Sequence, residues 1–517
     1  MIPLELFDEC DARAPHDRKK PMPPFKSITL LLLPVLLAAG CKHVPQPTSA
    51  MGCFQNSGQD FSSVLTCYAK ATSDQPPEYK LVSATKLAGI EKRVYALKSQ
   101  EWDGHNFASP GDWMHTVDIY IPDAAQHGQA LLVANNGTNV PMAGKPVQAP
   151  TDFTAASALT VARQTNTIVI AVSNIPNQYL TYSDDGVPRR EDDSVAHSWK
   201  LFLQQPEARP FLSLHIPMMQ SLVQTMNLAQ LELKPWGIDR FIASGASKRG
   251  WAVWMAALAD SRVSAIAPFV IDILNTKEVL NHTYRAYGAS WPLAFNAYFQ
   301  EGITEHVETT NFAKLMQVED PLLYANTPYG AQLAIPKYII NASSDDFFVP
   351  DSAKFYFDAL PGKKMLRVAP NASHYGIQAF VENSLVTFTN RLQQQRPLPA
   401  LSATAKADPG GTQLSISYTE RPATLTQWRA LNAKDRDFRH PCGIRYEAVN
   451  IDVPAGNTLN IDLRSPDKGW SATFIEATMG DGMVISTPVQ VLPDTYPDWQ
   501  PTQSGPACRN LSGVAAG

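Results

Sequence analysis

The sequence predicts an α/β protein in which a doubly wound, mostly parallel sheet with a helical insertion is followed by an Ig-like β-sandwich. Two observations carry this. From about residue 76 to 396, short β-rich runs alternate with longer amphipathic runs, the pattern of parallel strands joined by crossover helices. After Pro397-Leu398-Pro399 the pattern changes to short alternating runs with no long helix, which reads as a sandwich. At 517 residues the chain is long enough for a large core and at least two domains.

Taken in order, the first forty residues read as an address. The apolar run 28–39, ITLLLLPVLLAA, follows Arg18, Lys19, Lys20 and Lys26 and ends in Ala38-Ala39-Gly40-Cys41. It is too short, and too interrupted by Pro34, to span a membrane comfortably. Basic, apolar and small-residue segments in this order make a secretory signal, and Cys41 after Ala-Ala-Gly resembles a bacterial lipoprotein box with Cys41 as the acylated residue. Met22 is an alternative start to Met1. Lys42, a residue other than Asp after the Cys, favours the outer membrane. The expected setting is therefore the cell envelope, lipid-anchored and facing the periplasm, where disulfides form. Residues 41–75 read as a tether, with Cys53 and Cys67 stapling a turn. Cys442 and Cys508 are the other expected pair, because each pair lies in one region of the chain.

Within 76–396 the expected strands are Thr116–Ile121, Ala130–Asn135, Thr167–Val172, Arg240–Ser244, Val263–Val270, Pro336–Asn341 and Lys364–Val368. Their near-continuous apolar character fits burial on both faces. The expected helices are Ser194–Leu203, Leu212–Leu228, Ser247–Ala259, Asp351–Ala359 and Tyr375–Gln395. Residues 272–335, rich in Tyr, Asn, Phe and Trp, interrupt the alternation and read as a helical cap. Residues 397–517 hold the sandwich and a tail, with strands expected at Gln413–Tyr418, Thr424–Ala430, Glu447–Val453, Thr458–Asp462 and Ser471–Met479.

A net charge of −5 with no basic stripe argues against nucleic acid as a partner. No internal repeat stands out. The histidines His105, His115, His197 and His215 are scattered without metal-ligand spacing, so no metal and no cofactor are expected.

The chemistry concentrates in Arg240-Phe241-Ile242-Ala243-Ser244-Gly245-Ala246-Ser247-Lys248-Arg249-Gly250-Trp251. A buried strand runs through small residues to a Ser and then a helix, a junction that holds a serine hydroxyl on a tight exposed bend. The pattern departs from G-x-S-x-G, since Arg249 stands at +2 and Gly250 at +3. Alone it is weak, because Ser is also a good helix N-cap. Two later stretches change the balance. One strand leads to Ser344-Asp345-Asp346-Phe347-Phe348, and another to Asn371-Ala372-Ser373-His374. The order Ser, Asp, His, each just after a strand, is that of an α/β-hydrolase triad. Ser247 is the expected nucleophile, His374 the base, and Asp345 the orienting carboxylate. Asp346 is the second choice for that role, and Asp351 is read as a helix cap. The Lys248 N–H at the helix start and the loop Asn136-Gly137-Thr138 are the expected oxyanion donors, Gly137 allowing close backbone approach.

Further stretches carry a resemblance: Gly245 to Trp251, Val270-Ile271-Asp272-Ile273-Leu274-Asn275, Asp345-Asp346-Phe347-Phe348-Val349-Pro350-Asp351, Leu360-Pro361-Gly362-Lys363-Lys364 and Pro370-Asn371-Ala372-Ser373-His374. Ser99-Gln100-Glu101-Trp102, Trp113-Met114-His115, Arg190-Glu191-Asp192-Asp193 and Gly469-Trp470-Ser471-Ala472 add to it. Together they resemble the PhoPQ-activated pathogenicity-related protein family over most of residues 85–495. The resemblance implies an α/β-hydrolase fold, a β-rich C-terminal domain and a link to virulence or envelope defence. It implies no substrate. That family commonly has Asp-Glu-Phe-Phe where this chain has Asp345-Asp346-Phe347-Phe348, which favours Asp345 as the acid. A looser similarity is to glucuronoyl-type carbohydrate esterases, whose elbow also has Gly at +3 and a basic residue at +1, here Lys248.

Lys248 and Arg249 are expected either to read a substrate carboxylate or help the oxyanion, or else one points to solvent and the other pairs with an acid such as Asp192 or Asp272. Asn136, Arg249, Glu191 and Asp192 are the substrate-binding candidates, the acids either reading an amine or forming a solvated helix start. The expected activity is hydrolysis of an ester or amide in a small molecule or peptide through an acyl-enzyme. Non-catalytic envelope binding or signalling on a hydrolase scaffold is the alternative.

Overall fold

The structure, a computed structural model, describes residues 49–73, 76–102, 107–142, 144–501 and 505–512. Residues 1–48, with the expected signal and Cys41, lie outside the described residues, as does His105. The described residues all fall in one compact unit.

Its centre is a nine-stranded sheet. The strands are β1 (Glu78–Leu87), β2 (Ile90–Glu101), β3 (Asp112–Pro122), β4 (Gln129–Ala134), β5 (Ile168–Val172), β6 (Arg240–Ala246), β7 (Val263–Phe269), β8 (Lys337–Ala342) and β9 (Lys364–Ala369). They lie in the order β1-β2-β3-β5-β4-β6-β7-β8-β9. From β5 to β9 every pairing is parallel, while β1, β2 and β3 add on antiparallel. This is the α/β-hydrolase order with one extra edge strand, β1. Strand residues alternate between two apolar layers: Ile168, Ile170 and Val172 face one, Val169 and Ala171 the other. A period of two with both sides apolar requires cover on both faces. Helices α4 (Glu191–Gln204), α5 (His215–Glu232) and α6 (Lys248–Ala259) cover the first, and α3 (Ala155–Thr165) and α10 (Gln378–Gln393) the second.

The seven expected strands are present, six of them within two residues of the expected ends; the strand expected at Thr116–Ile121 begins four residues earlier, at Asp112. The hairpin β1–β2 was not among them. Strand β1 is exposed or half-buried throughout, so it shows no apolar alternation to read, and its lysines suit an edge. Residues 49–73 are not a tether. They form α1 (Ala50–Asn56) and α2 (Val64–Ser73), joined by a short 3₁₀ turn and the Cys53–Cys67 disulfide. Phe54, Phe61, Val64, Leu65 and Tyr68 enter the main core. The polar residues between them obscure this in sequence.

The expected helix Asp351–Ala359 shrinks to a 3₁₀ turn, Ser352–Phe355. Asp351 does not cap it with its side chain. Its buried carboxylate instead takes Arg436 at 2.6 Å and His282 at 2.9 Å, since three cationic or imidazole groups, Lys354 included, converge on it.

The cap is built as expected from the insertion: α7 (Thr276–Ala286), α8 (Asn296–Gln300), α9 (Thr310–Glu319) and short 3₁₀ turns. The C-terminal β-sandwich comprises β10 (Leu401–Asp408), β11 (Gly411–Tyr418), β12 (Thr424–Asn432), β13 (Glu447–Ile451), β14 (Thr458–Arg464), β15 (Trp470–Thr478), β16 (Val484–Ser486) and β17 (Gln490–Leu492). A three-stranded antiparallel sheet, β10-β11-β14, and a five-stranded one centred on β15 share one apolar layer. The Val368 N–H of edge strand β9 is donated to Ser486 Oγ at 2.9 Å. The tail returns to the cap, where Asn510–Ser512 pairs with Ser290–Pro292, and the Cys442–Cys508 disulfide holds it.

Candidate active site

Strand β6 ends at Ala246 and helix α6 begins at Lys248, so Ser247 alone makes the bend, at φ 55° and ψ −130°. Positive φ in a residue other than Gly is strained and persists only where its surroundings fix it. The surroundings here are close-packed. A Cβ on Gly245 would stand 2.8 Å from the Arg249 carbonyl oxygen, and one on Gly250 would stand 2.8 Å from that of Gly245. Gly250 at +3 therefore lets helix meet strand, and Arg249 is tolerated at +2 because its side chain leaves the crossing. Ser247 makes no side-chain capping bond to its helix, which removes the N-cap reading.

His374 follows β9 and is 5% exposed; Asp345 follows β8 and is 3% exposed. Asp345 Oδ1 and Oδ2 each lie 3.0 Å from His374 Nδ1. Asp345 Oδ1 also accepts the Phe347 N–H at 2.8 Å, which fixes the carboxylate. Asp346 instead accepts the backbone N–H of His374 at 3.3 Å. Burial pushes the His374 imidazole down, but the Asp345 carboxylate outweighs it and leaves its pKa above the ordinary value. Burial and the neighbouring Asp345 charge hold Asp346 above the usual carboxylate range. Ser247 and His374 line the same open pocket.

The oxyanion candidates separate on hydrogen-bond accounting. The Asn136 N–H goes to Asn135 Oδ1 at 3.0 Å and the Thr138 N–H to the Gln148 carbonyl at 3.0 Å. Thr138 is thus part of the loop clamp and is not a free donor. The Gly137 N–H remains, at φ 113°, in a loop that lines the pocket. A Cβ at Gly137 would stand 2.8 Å from Asn174 Oδ1, so only Gly fits. Gln178 Nε2 fixes this loop, donating at 2.8 Å both to the Gly137 carbonyl and to Glu191 Oε1. The Lys248 N–H lies in the first turn of α6, where helix N–H groups lack internal partners.

Lys248 and Arg249 are both buried and paired, so neither is free to read a substrate carboxylate. Lys248 Nζ lies 2.9 Å from Glu191 and 3.2 Å from Asp192. Arg249 binds Glu191 at 2.5 Å, Asp152 at 3.2 Å and the Ile175 carbonyl at 2.6 Å. Burial opposes these charges, but Arg249 and Lys248 hold Glu191 well below the usual carboxylate range, and Asp192 and Glu191 hold Lys248 above the usual amine range. Glu191 and Asp192 are therefore committed to the protein's own cations. Asp272 takes no part; it is buried against Tyr356 OH at 2.5 Å, and burial pushes it up to about 8. Asp152 and Gln178 went unrecognised in the sequence because each lies in an irregular loop with no periodic or motif signal.

Among the described residues, Asp184, Asp185 and His197 lie close enough together to hold a cation. Their groups are already engaged: both His197 nitrogens lie 3.0 Å from carboxylates of Asp184 and Glu301, and Asp185 binds Arg189.

A family model described as PhoPQ-activated pathogenicity-related protein matches residues 65–439. Autocrine proliferation repressor protein A of Dictyostelium discoideum is 29% identical over 468 residues, covering 84% of this chain and 92% of its own length. Among solved structures, an acetyl xylan esterase from Paenibacillus sp. R4 is similar at 14% identity and TM-score 0.41, covering 64% of this chain and 93% of its own. Acetyl xylan esterase 1 from Thermoanaerobacterium sp. JW/SL YS485 is similar at 15% identity and TM-score 0.40, with the same coverage.

Proposed function

Because the chain belongs to the PhoPQ-activated pathogenicity-related protein family and carries an α/β-hydrolase fold, we propose that it is an exported serine hydrolase acting through an acyl-enzyme. The observation that carries this reading is the Asp345–His374 contact at 3.0 Å, made by a His374 that lines the same pocket as Ser247. With Nδ1 held by the carboxylate, Nε2 is the nitrogen left to take the Ser247 proton. Ser247 attacks the carbonyl carbon, and the N–H groups of Lys248 and Gly137 receive the developing oxyanion. His374 then gives the proton to the leaving group. Water repeats the sequence and frees Ser247.

The two disulfides support an oxidising compartment. They fit export and lipid anchoring through Cys41 in the cell envelope, with the outer membrane as the expected site and envelope defence or virulence as its setting. A second reading, binding or signalling without turnover, rests on the name of the Dictyostelium relative.

Steady-state and stopped-flow hydrolysis of activated esters by purified mature protein tests the proposal. A burst of leaving group equal to one site per chain, lost in Ser247→Ala and in His374→Ala, is the expected result. Folded wild type with no turnover on any ester or amide would favour the binding reading.

A further inference from the structure

We propose that the site is divided at Ser247 into an acyl pocket for a short apolar acyl group and an open polar pocket for the leaving group. This rests on Ser247 being the nucleophile. Two cavities meet there, sharing Ser247, Lys248, Asp192 and Phe347. The first has about 580 Å³ of empty volume, solvent-open mouth included, against about 1470 Å³ for the second.

The smaller cavity lies under the cap. Trp199, Trp251, Ile273, Leu280, Phe295 and Phe348 supply its apolar wall. Its carboxylate is already engaged: Asp192 accepts the Tyr298 hydroxyl at 3.2 Å and faces Lys248 Nζ at 3.2 Å. A basic side chain entering here would have to compete with buried Lys248 for this carboxylate and leave its remaining donors desolvated among the aromatic rings. Part of this wall is tightly packed. Trp199 and Trp251 meet edge to face at 5.6 Å, and Trp251 Nε1 donates to the Glu319 carbonyl. A long acyl chain would have to displace this pair.

The larger cavity is lined by Gln148, Thr151, Arg190, Gln378 and the largely exposed Tyr375, while the Asn136 amide, which also lines it, is taken up by Thr151 and Asp152. Their amides and hydroxyls exchange hydrogen bonds with a polar ligand. The assignment of sides follows from the proton. His374 lines the larger cavity and not the smaller, and the group that it protonates must sit beside it. The bond from Ser247 Oγ to the acyl carbon forms as the bond from that carbon to the leaving oxygen breaks, and the serine proton passes through His374 to that oxygen. The polar alcohol leaves through the larger cavity. Water then attacks the acyl carbon, its proton passes through His374 to Oγ, and the short acid departs from the smaller cavity.

The test uses the 4-nitrophenyl esters of acetate, butyrate, octanoate and laurate on the full mature chain, with fluorophosphonate labelling of the same preparations. The expected kcat/KM is highest for acetate or butyrate and roughly 10²-fold lower for laurate, the range that shape selection in an apolar pocket delivers. Leu280→Ala, which opens the wall, shifts the preference toward octanoate. Thr304→Phe, which fills the pocket from the cap, lowers butyrate turnover more than acetate turnover. Laurate turned over as fast as butyrate by a labelled enzyme, or a preference unmoved in both variants, overturns the partition and leaves the serine hydrolase reading standing. A folded protein that neither labels nor turns over any ester overturns the reading on which the partition rests, and the partition with it.

Discussion

Ser247 occupies a backbone conformation that L-residues rarely adopt, held by Gly245 and Gly250 on either side. Strain concentrated at one hydroxyl-bearing residue, beside unpaired helix N–H groups, is how a fold presents a nucleophile. In the proposed mechanism His374 must be neutral to accept the serine proton, and its pKa is raised above the ordinary 6.5 by Asp345. Activity is therefore expected to fall as pH drops through a midpoint above 6.5, measured as kcat/KM against pH. Asp345→Asn lowers kcat by about 10⁴-fold and, by removing the charge that raises His374, moves the acid limb down. Asp346→Asn, which alters a group that accepts the His374 backbone N–H rather than its imidazole, lowers kcat far less. Ser247, Asp345 and His374 were legible in sequence because each follows a strand in a fixed order. Gln178 and Asp152 were not, since a loop residue's role depends on where the chain folds back.

Helix α6 gathers the site's charges and begins just after the proposed nucleophile. Lys248 and Arg249 are locked by Glu191, Asp192 and Asp152; breaking such a buried pair costs more than the pair contributes. Arg249→Met is expected to lower stability by about 3–5 kcal/mol, read by urea unfolding, because it leaves Glu191 and Asp152 short of a cation. At the N-terminus, the Cys53–Cys67 bridge closes a separation of 14 residues. Replacing both by Ala is expected to lower stability by roughly 3 kcal/mol in the loop-entropy account, with fluorophosphonate labelling retained below the transition. The central parallel strands were readable because burial on both faces leaves uninterrupted apolar runs. Helices α1 and α2 were not, because their apolar residues are spread across a helix, a turn and a second helix.

Across the whole molecule, Asp351 joins three parts of the chain: Lys354 beside it, His282 of the cap and Arg436 of the sandwich. Arg439 adds a second tie, reaching Asn510 Oδ1 at 2.7 Å while paired with Asp437. Cap, sheet and sandwich are thus expected to unfold in one cooperative transition by calorimetry. Arg436→Ala takes from a buried carboxylate its closest cation and lowers the transition, by about 3 kcal/mol in stability; Asp351→Leu with Arg436→Met costs less than Arg436→Ala alone. Sequence alone indicated a cap and a sandwich but not their coupling. The pairing of residues 510–512 with 290–292 joins segments more than two hundred positions apart, and neither strand is long enough to carry a pattern.

The central claim is that Ser247 is an activated nucleophile. Treatment of the mature protein with a fluorophosphonate, followed by proteolysis and mass mapping, tests it most directly. One adduct per chain on Ser247, absent from His374→Ala, is the predicted result. A folded wild type that remains unmodified at Ser247, or that is modified equally without His374, would contradict it.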